Sequence, residues 1–157
     1  MADEIRVSVG LTINKDNLQF RWPFPGAFLD DLETGKGPSP GYLDIPTTGR
    51  DIYFTELTNP SWCIFANLES DGGNYFEYGI YDVQTRIFFP LGEVNPGHST
   101  VLKLSRNLME EYSQSGTGTT EPQNYLRVRA GTPTGGIPGG TQGSGGTVKG
   151  FVGAFEL

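Results

Sequence analysis

Between Asn74 and Ser105, three short segments rich in aromatic and β-branched residues follow one another along the chain. They are separated by two turn signals, Val83-Gln84-Thr85 and Asn95-Pro96-Gly97. No stripe of apolar residues at helical spacing competes with this pattern. We therefore predict a β-meander whose apolar residues fill the core: Tyr75, Phe76, Tyr78, Ile80 and Tyr81, then Ile87, Phe88, Phe89 and Leu91, then Val101, Leu102 and Leu104.

Strand patterns also precede and follow this stretch. Apolar residues alternate with polar ones from Ile5 to Ile13 and from Leu18 to Trp22, so residues 5–22 are predicted to form an antiparallel hairpin. Further strands are predicted at 42–46, 51–57, 61–68, 125–130 and 148–157, and the segment 61–68 is expected to be the most buried because both of its faces are mostly apolar. Together the segments predict an all-β fold, an antiparallel β-sandwich or jelly-roll-like arrangement of about 8–10 strands with long Pro/Gly-rich loops.

The 157 residues fit one domain, which we place at residues 1–157. Long loops are expected at 23–40, where prolines and glycines are frequent, at 113–123, and at 131–147, which is mostly Gly, Thr, Ser and Pro. The segment 106–112 has some helix propensity, enough for a single turn at most. Loops of this length are usually functional, so we expect 23–40 and 131–146 to contact neighbouring subunits.

Charge and cysteine content narrow the classes of partner. Asp and Glu number 18 against 11 Lys and Arg, which gives a net charge of −7 and disfavours binding to nucleic acid or to anionic membranes. Cys63 is the only cysteine, so neither an intrachain disulfide nor a thiolate zinc site can form within this chain. The acidic N-terminal residues and the absence of a long apolar run predict a protein of a cytoplasm-like compartment with no membrane role.

The residue types that carry catalysis are sparse. His98, the only histidine, lies in the turn Pro96-Gly97-His98-Ser99 and is expected to be an exposed turn residue, since no nucleophile and orienting carboxylate are suggested around it. Cys63 is expected to be a buried packing residue. The acidic turn with Glu69, Asp71 and Asn74 could offer oxygens to calcium, but a solvated turn is favoured. We therefore predict no enzymatic activity, no cofactor and no metal site.

Aromatic residues offer a different kind of candidate site. Several tyrosines could form a sugar-stacking platform, although most aromatic residues are expected in the core. Trp22, Phe24 and Phe28 differ because they adjoin prolines in a predicted loop, where one domain cannot bury three large rings. We predict that these three residues contact a partner.

Three stretches, SWCIFANLESDGGNYFEYGIYD, FFPLGEVNPGHSTVLKLSRNL and YLRVRAGT, resemble the small all-β virion proteins of tailed bacteriophages, including capsid decoration (cement) proteins. The resemblance covers roughly residues 60 to 130 as a general style and carries over no functional residue. It implies a non-enzymatic protein of the outer capsid surface, assembled in the host cytoplasm, that stabilises the phage head by contacts with the major capsid protein and with copies of itself, as a homotrimer. The alternatives are a phage tail or baseplate structural protein and a carbohydrate-binding β-sandwich module.

Overall fold

In the computed structural model, the described residues are 5–7, 11–15, 18–22, 28–30, 37–54, 56–57, 60–70, 73–105, 124–131 and 146–156. For those up to residue 30, only the backbone is described. They contain twelve strands and no helix. The first four are β1 (Ile5–Val7), β2 (Leu11–Lys15), β3 (Leu18–Trp22) and β4 (Phe28–Asp30). The other eight are β5 (Ser39–Ile45), β6 (Arg50–Asp51), β7 (Pro60–Asn67), β8 (Phe76–Asp82), β9 (Ile87–Val94), β10 (Ser99–Lys103), β11 (Asn124–Ala130) and β12 (Val148–Glu156).

Strands β5 to β12 form two four-stranded antiparallel sheets, which confirms the predicted all-β class. Sheet A has the order β10-β7-β12-β5, and sheet B has the order β6-β11-β8-β9. The pairing is nested along the chain, because β5 pairs with β12, β6 with β11, β7 with β10 and β8 with β9. A long hairpin whose strands are distributed in this way over two sheets is the eight-stranded jelly roll.

The core lies between the two sheets. Sheet A contributes Ile45, Phe65 and Val152, and sheet B contributes Phe76 and Val128, all of them fully buried. The ring of Tyr78 in sheet B stacks on Phe65 in sheet A, with 4.7 Å between the ring centroids. Each large side chain buried in this way contributes about 1.5–3 kcal/mol relative to exposure, so this cluster is the main source of stability in the domain.

The predicted hairpin at 5–22 is part of a longer nested ribbon. Strand β2 pairs with β3, from Leu11 opposite Trp22 to Lys15 opposite Leu18. Strand β1 pairs with β4 instead, with Ile5 opposite Asp30 and Val7 opposite Phe28. The prediction of a loop over 23–40 is therefore wrong at β4 and at the first residues of β5. The sequence pattern alone could not show this, because β4 is three residues long and has no alternation to detect.

The predicted meander is wrong at its third strand. Strands β8 and β9 form a hairpin, but β10 pairs with β7 in the other sheet. The backbone of Asn67, at the end of β7, explains the crossing: its N–H donates to the His98 carbonyl at 2.9 Å, and its carbonyl accepts from the Gly97 N–H at 3.2 Å. These bonds tie the turn after β9 to sheet A, so β10 continues beside β7.

The strands predicted at 42–46, 61–68, 125–130 and 148–157 agree with β5, β7, β11 and β12 to within a few residues. The strand predicted at 51–57 is wrong except at Asp51. Strand β6 is two residues long rather than seven, although Ile52 and Phe54, which follow it, are buried. Strand β7 is buried at six of its eight residues, as expected for the predicted most buried strand. Most of the predicted loops at 113–123 and 131–147 and the segment 106–112 lie outside the described residues.

Candidate interaction surfaces

His98 and Cys63 are the two residues of a type most often used in catalysis, and both occupy ordinary structural positions. His98 is exposed in its turn, and its Nδ1 lies 2.8 Å from the Pro96 carbonyl oxygen. Cys63 is fully buried in β7, and this burial raises the pKa of its thiol to about 12. Both placements confirm the sequence predictions, and a thiol that stays protonated in this way is a poor nucleophile.

The acidic turn after β7 serves the fold through its polar groups. The Glu69 Oε1 atom accepts a hydrogen bond from the Lys149 N–H at 2.8 Å, which connects this turn to β12. The Asn74 carbonyl accepts from Asn67 Nδ2 at 2.9 Å, and Asp71 lies outside the described residues. Within the described ranges, no three His, Cys, Asp or Glu side chains are arranged to hold a metal ion.

Two of the three predicted partner-contact residues lie in the N-terminal ribbon formed by β1 to β4. Trp22 ends β3 opposite Leu11, and Phe28 begins β4 opposite Val7. Phe24 lies outside the described residues. Because opposed residues of an antiparallel ladder share a face, Leu11 and Trp22 occupy the same face of the β2-β3 ladder. Contact with a partner remains a prediction for all three residues.

Sheet A has an apolar outer face, which sequence reasoning did not identify. Two rows cross its four strands: Val101, Ile64, Gly153 and Pro40 in one, and Ser99, Ala66, Phe151 and Tyr42 in the other. We define the sheet A outer face by the larger apolar members of these two rows, Pro40, Tyr42, Ile64, Val101 and Phe151. Tyr42 is 79% exposed and Val101 is 42% exposed, while Ile64 and Phe151 are half-buried.

The apolar residues on the outside of sheet A are explained by strands that carry apolar residues on both of their faces. In sheet A the inner face already holds Leu43, Cys63 and Phe65, so the alternate residues of the same strands must point outward. Tyr42 packs edge-on against Phe151 with 5.1 Å between ring centroids, and most of its surface is still open to solvent. The result is a cluster of apolar side chains of the kind that marks interaction sites in soluble proteins.

Sheet B has an outer face of a different character. We define the sheet B outer face by two arginines, two carboxylates and two rings: Arg127, Arg129, Asp51, Glu77, Tyr81 and Phe88. Arg127 Nε lies 2.6 Å from Asp51 Oδ1, and Arg129 Nη2 lies 2.6 Å from Glu77 Oε2.

The arginines of this face also cover its rings. The Arg127 guanidinium carbon lies 3.3 Å from the centroid of Tyr81, and that of Arg129 lies 4.6 Å from the centroid of Phe88. The hydrogen bond to Asp51 raises the pKa of Arg127. Since charges and rings on this face pair with one another, little of its binding capacity is left for a partner.

The third surface is the outer strand of sheet B, β9. Ile87, Phe89 and Leu91 were predicted to fill the core, but they are 48%, 51% and 67% exposed, and we name them the β9 edge. The prediction was wrong because β9 is the last strand of its sheet in the described structure and has a bulge opposite Tyr78 and Gly79. The run Phe88-Phe89-Pro90 was the available signal, since proline within a strand indicates an edge.

The tyrosines Tyr53, Tyr78 and Tyr81 have different placements, and of these only Tyr78 and Tyr81 were considered for a sugar-stacking platform. Tyr78 stacks in the core on Phe65, and Tyr81 is covered by Arg127. Tyr53, which follows β6, is 54% exposed and contacts Tyr125 edge-on. Among the described aromatic rings, those of Tyr42 and Tyr53 have the largest exposed fractions, and Tyr42 lies in β5 of sheet A whereas Tyr53 follows β6 of sheet B.

Comparison with models of protein families, with curated proteins and with solved structures found no match to this chain. Within the described residues there is no helix with the length and apolar character needed to cross a bilayer.

Proposed function

We propose that this protein is a non-enzymatic structural component of a virus particle, and specifically a capsid decoration (cement) protein that stabilises a phage head. Its partners in this proposal are the major capsid protein and copies of itself, in a homotrimer on the outer capsid surface. The observation that carries the proposal is the sheet A outer face, an exposed apolar surface on a jelly roll. Jelly rolls recur among viral capsid proteins, which supports the assignment by analogy of fold.

The contrast between the two outer faces supports sheet A as the docking side. On the sheet B outer face, Arg127 and Arg129 are paired with Asp51 and Glu77 and stacked on rings. On the sheet A outer face, Tyr42 and Val101 are open to solvent. Burying apolar side chains of this second kind gains free energy without breaking ion pairs. The capsid partner is therefore expected to cover sheet A.

Net charge is consistent with the outer surface of a head. A chain with a charge of −7 is repelled by packaged nucleic acid, so a position outside the shell avoids that cost. The N-terminal segment that contains Trp22, Phe24 and Phe28 is the second region from which contacts with the shell are proposed.

The test is binding to empty shells assembled from the major capsid protein of the same virus. We expect the purified protein to cosediment with the shells and to raise their melting temperature. Tyr42→Glu is expected to weaken binding by about 30-fold or more, because it replaces the most exposed ring of the sheet A outer face with a charge. Tyr53→Glu is the matched control, since Tyr53 is also an exposed tyrosine with one edge-on ring contact but lies outside the sheet A outer face.

Two results would contradict the proposal. One is a protein that neither cosediments with shells nor changes their melting temperature. The other is equal loss of binding in the Tyr42 and Tyr53 variants. Binding to isolated tails or baseplates with no binding to heads would favour the alternative tail-associated role.

A carbohydrate-binding module is the second candidate, because lectins also use the jelly roll and two tyrosine rings are exposed. A glycan array with and without calcium tests it. Glycan binding that is lost in Tyr42→Ala or Tyr53→Ala, together with no binding to shells, would replace the structural proposal.

A further inference from the structure

The three apolar residues of the β9 edge lie between two unpaired charges of opposite sign. A second copy in the reverse direction would present the same residues in a complementary order. Ile87, Phe89 and Leu91 are each about half or more exposed on a strand whose outer side is unpaired in the described structure. Arg86 precedes the three residues, and Glu93 follows them. The midpoint between Arg86 and Glu93 falls at Phe89 and Pro90, within the apolar segment.

Both flanking charges lack an ion-pair partner among the described residues. Arg86 is exposed in the turn between β8 and β9. Glu93 is exposed on β9 directly opposite Glu77 on β8, and the Glu77 carboxylate is already bound by Arg129. Like charges opposite each other on a sheet are destabilising, so an additional cation beside Glu93 would be favourable.

We propose that the β9 edge binds the β9 edge of a second copy of this chain, antiparallel and across a two-fold axis. The axis passes near Phe89, so that the apolar residues of the two copies pack together. Arg86 of each copy then lies beside the partner subunit's Glu93, which gives two equivalent ion pairs at the two ends of the contact. A two-fold contact uses the same patch on both subunits, which is the commonest arrangement in protein oligomers.

Pro90 and the bulge determine what kind of contact this is. Proline has no N–H to donate, and the bulge displaces the backbone of the edge strand. Together they prevent a continuous ladder across the axis and therefore prevent indefinite strand addition. The contact is made by side chains, and it closes with two copies.

This inference does not depend on the capsid role. A trimer is closed by head-to-tail contacts, so a trimeric protein would carry three β9 edges, which can pair with the three edges of one second trimer. The purified protein is therefore expected to contain an even number of chains.

The test is the mass of the full-length protein in solution, measured by light scattering and sedimentation equilibrium over a range of concentrations. Leu91→Glu is expected to halve the number of chains and to weaken the contact by about 30-fold or more, as for a central apolar residue of an interface. Leu68→Glu is the matched control, because Leu68 is 50% exposed and lies after β7, outside the β9 edge.

Charge reversal tests the two-fold geometry itself. Arg86→Glu and Glu93→Arg are each expected to weaken the contact by about 5-fold to 10-fold, and the double variant is expected to restore it, because the two ion pairs re-form with opposite polarity. Near-UV circular dichroism and melting temperature establish that every variant is folded.

Three outcomes would overturn the inference. The first is a wild-type protein with one or three chains at every concentration. The second is an equal effect of the Leu68 and Leu91 variants. The third is a double charge reversal that is as weak as the single ones.

Discussion

At Gly79, the missing side chain sets the path of the neighbouring strand. A Cβ atom built at this position would overlap the Phe89 carbonyl oxygen and lie 2.8 Å from Pro90 Cα. Both contacts are with the backbone of β9, which approaches closely at the bulge, so no side-chain rotation can relieve them. A single glycine in β8 therefore permits the bulge that exposes Leu91.

We expect Gly79→Ala to destabilise the protein by about 1–3 kcal/mol, since it overpacks a strand pair that cannot separate without losing hydrogen bonds. Urea denaturation measures the change. A free energy of unfolding equal to that of the wild type would show that β9 does not approach β8 as closely as described.

Cys63 shows the opposite case, in which a reactive group is made inert by burial. Its folded pKa of about 12 lies above the value of about 8.5 for an exposed thiol. We expect a disulfide reagent at pH 8 to label the native protein at least about 1000-fold more slowly than the denatured protein, because the thiolate is the reactive form.

The same shift gives a pH dependence of stability. An unfolded thiol ionises above its ordinary pKa while the folded one stays protonated up to about pH 12. The contribution of neutral Cys63 is therefore complete below pH 8.5 and is lost as pH rises from there toward 12. Rapid labelling of the native protein at pH 8 would contradict the buried position of this thiol.

At the scale of elements, Asn67 connects two loops to the end of β7. Its Nδ2 donates to the carbonyls of Asn74 at 2.9 Å and Val94 at 3.0 Å, and its Oδ1 accepts from the Glu69 N–H at 3.0 Å. The side chain is buried, so all three bonds are made away from water. The turn between sheets A and B depends on these bonds, because the same residue also binds the backbone of the turn after β9.

Asn67→Asp preserves the shape of the side chain but removes both amide donors. We expect a loss of about 2–4 kcal/mol at pH 7, because a buried carboxylate would face two carbonyl oxygens. Burial and these oxygens raise the folded pKa of the new carboxyl group, so stability should recover as pH falls below that pKa and be lost as pH rises through it.

Urea denaturation between pH 4 and pH 7 measures this dependence. Asn95→Asp is the control, since Asn95 is exposed in the turn after β9. A similar pH dependence in the two variants would show that the amide donors of Asn67 are not needed.

At the scale of the whole molecule, the chain divides into a ribbon and a jelly roll. Strands β1 to β4 form ladders only with one another in the described structure, and the described core residues lie between Leu43 and Ala154. A two-stranded ribbon has little stability of its own, so a surface that binds it would add to its order.

We therefore expect a protein lacking residues 1–36 to fold, to unfold cooperatively in urea, and to keep the near-UV circular dichroism of the core aromatic residues. If the proposed function is correct, this truncated protein should also bind capsid shells more weakly than the full-length protein. Loss of the cooperative transition would show that the ribbon is part of the core.

Sequence reasoning identified most of the strands but only some of their partners. The segments that became β5, β7, β8, β9, β11 and β12 are each long enough to show alternation, and the turns at 47–49, 83–86 and 96–97 have characteristic residues. The candidate interaction surfaces were harder to predict from the sequence. Tyr42, Leu91 and Val101 have the residue types of a core, and only their location in the fold exposes them.

The sequence by itself determined the all-β class, the buried Cys63, the exposed turn at His98 and most strand positions, because these depend on local alternation and turn chemistry. The tertiary structure alone decided that β10 joins β7, that β1 joins β4, and which apolar faces stay open. Strand pairing joins residues far apart in the chain, and a period of two distinguishes the two faces of a strand without showing which of them another sheet will cover.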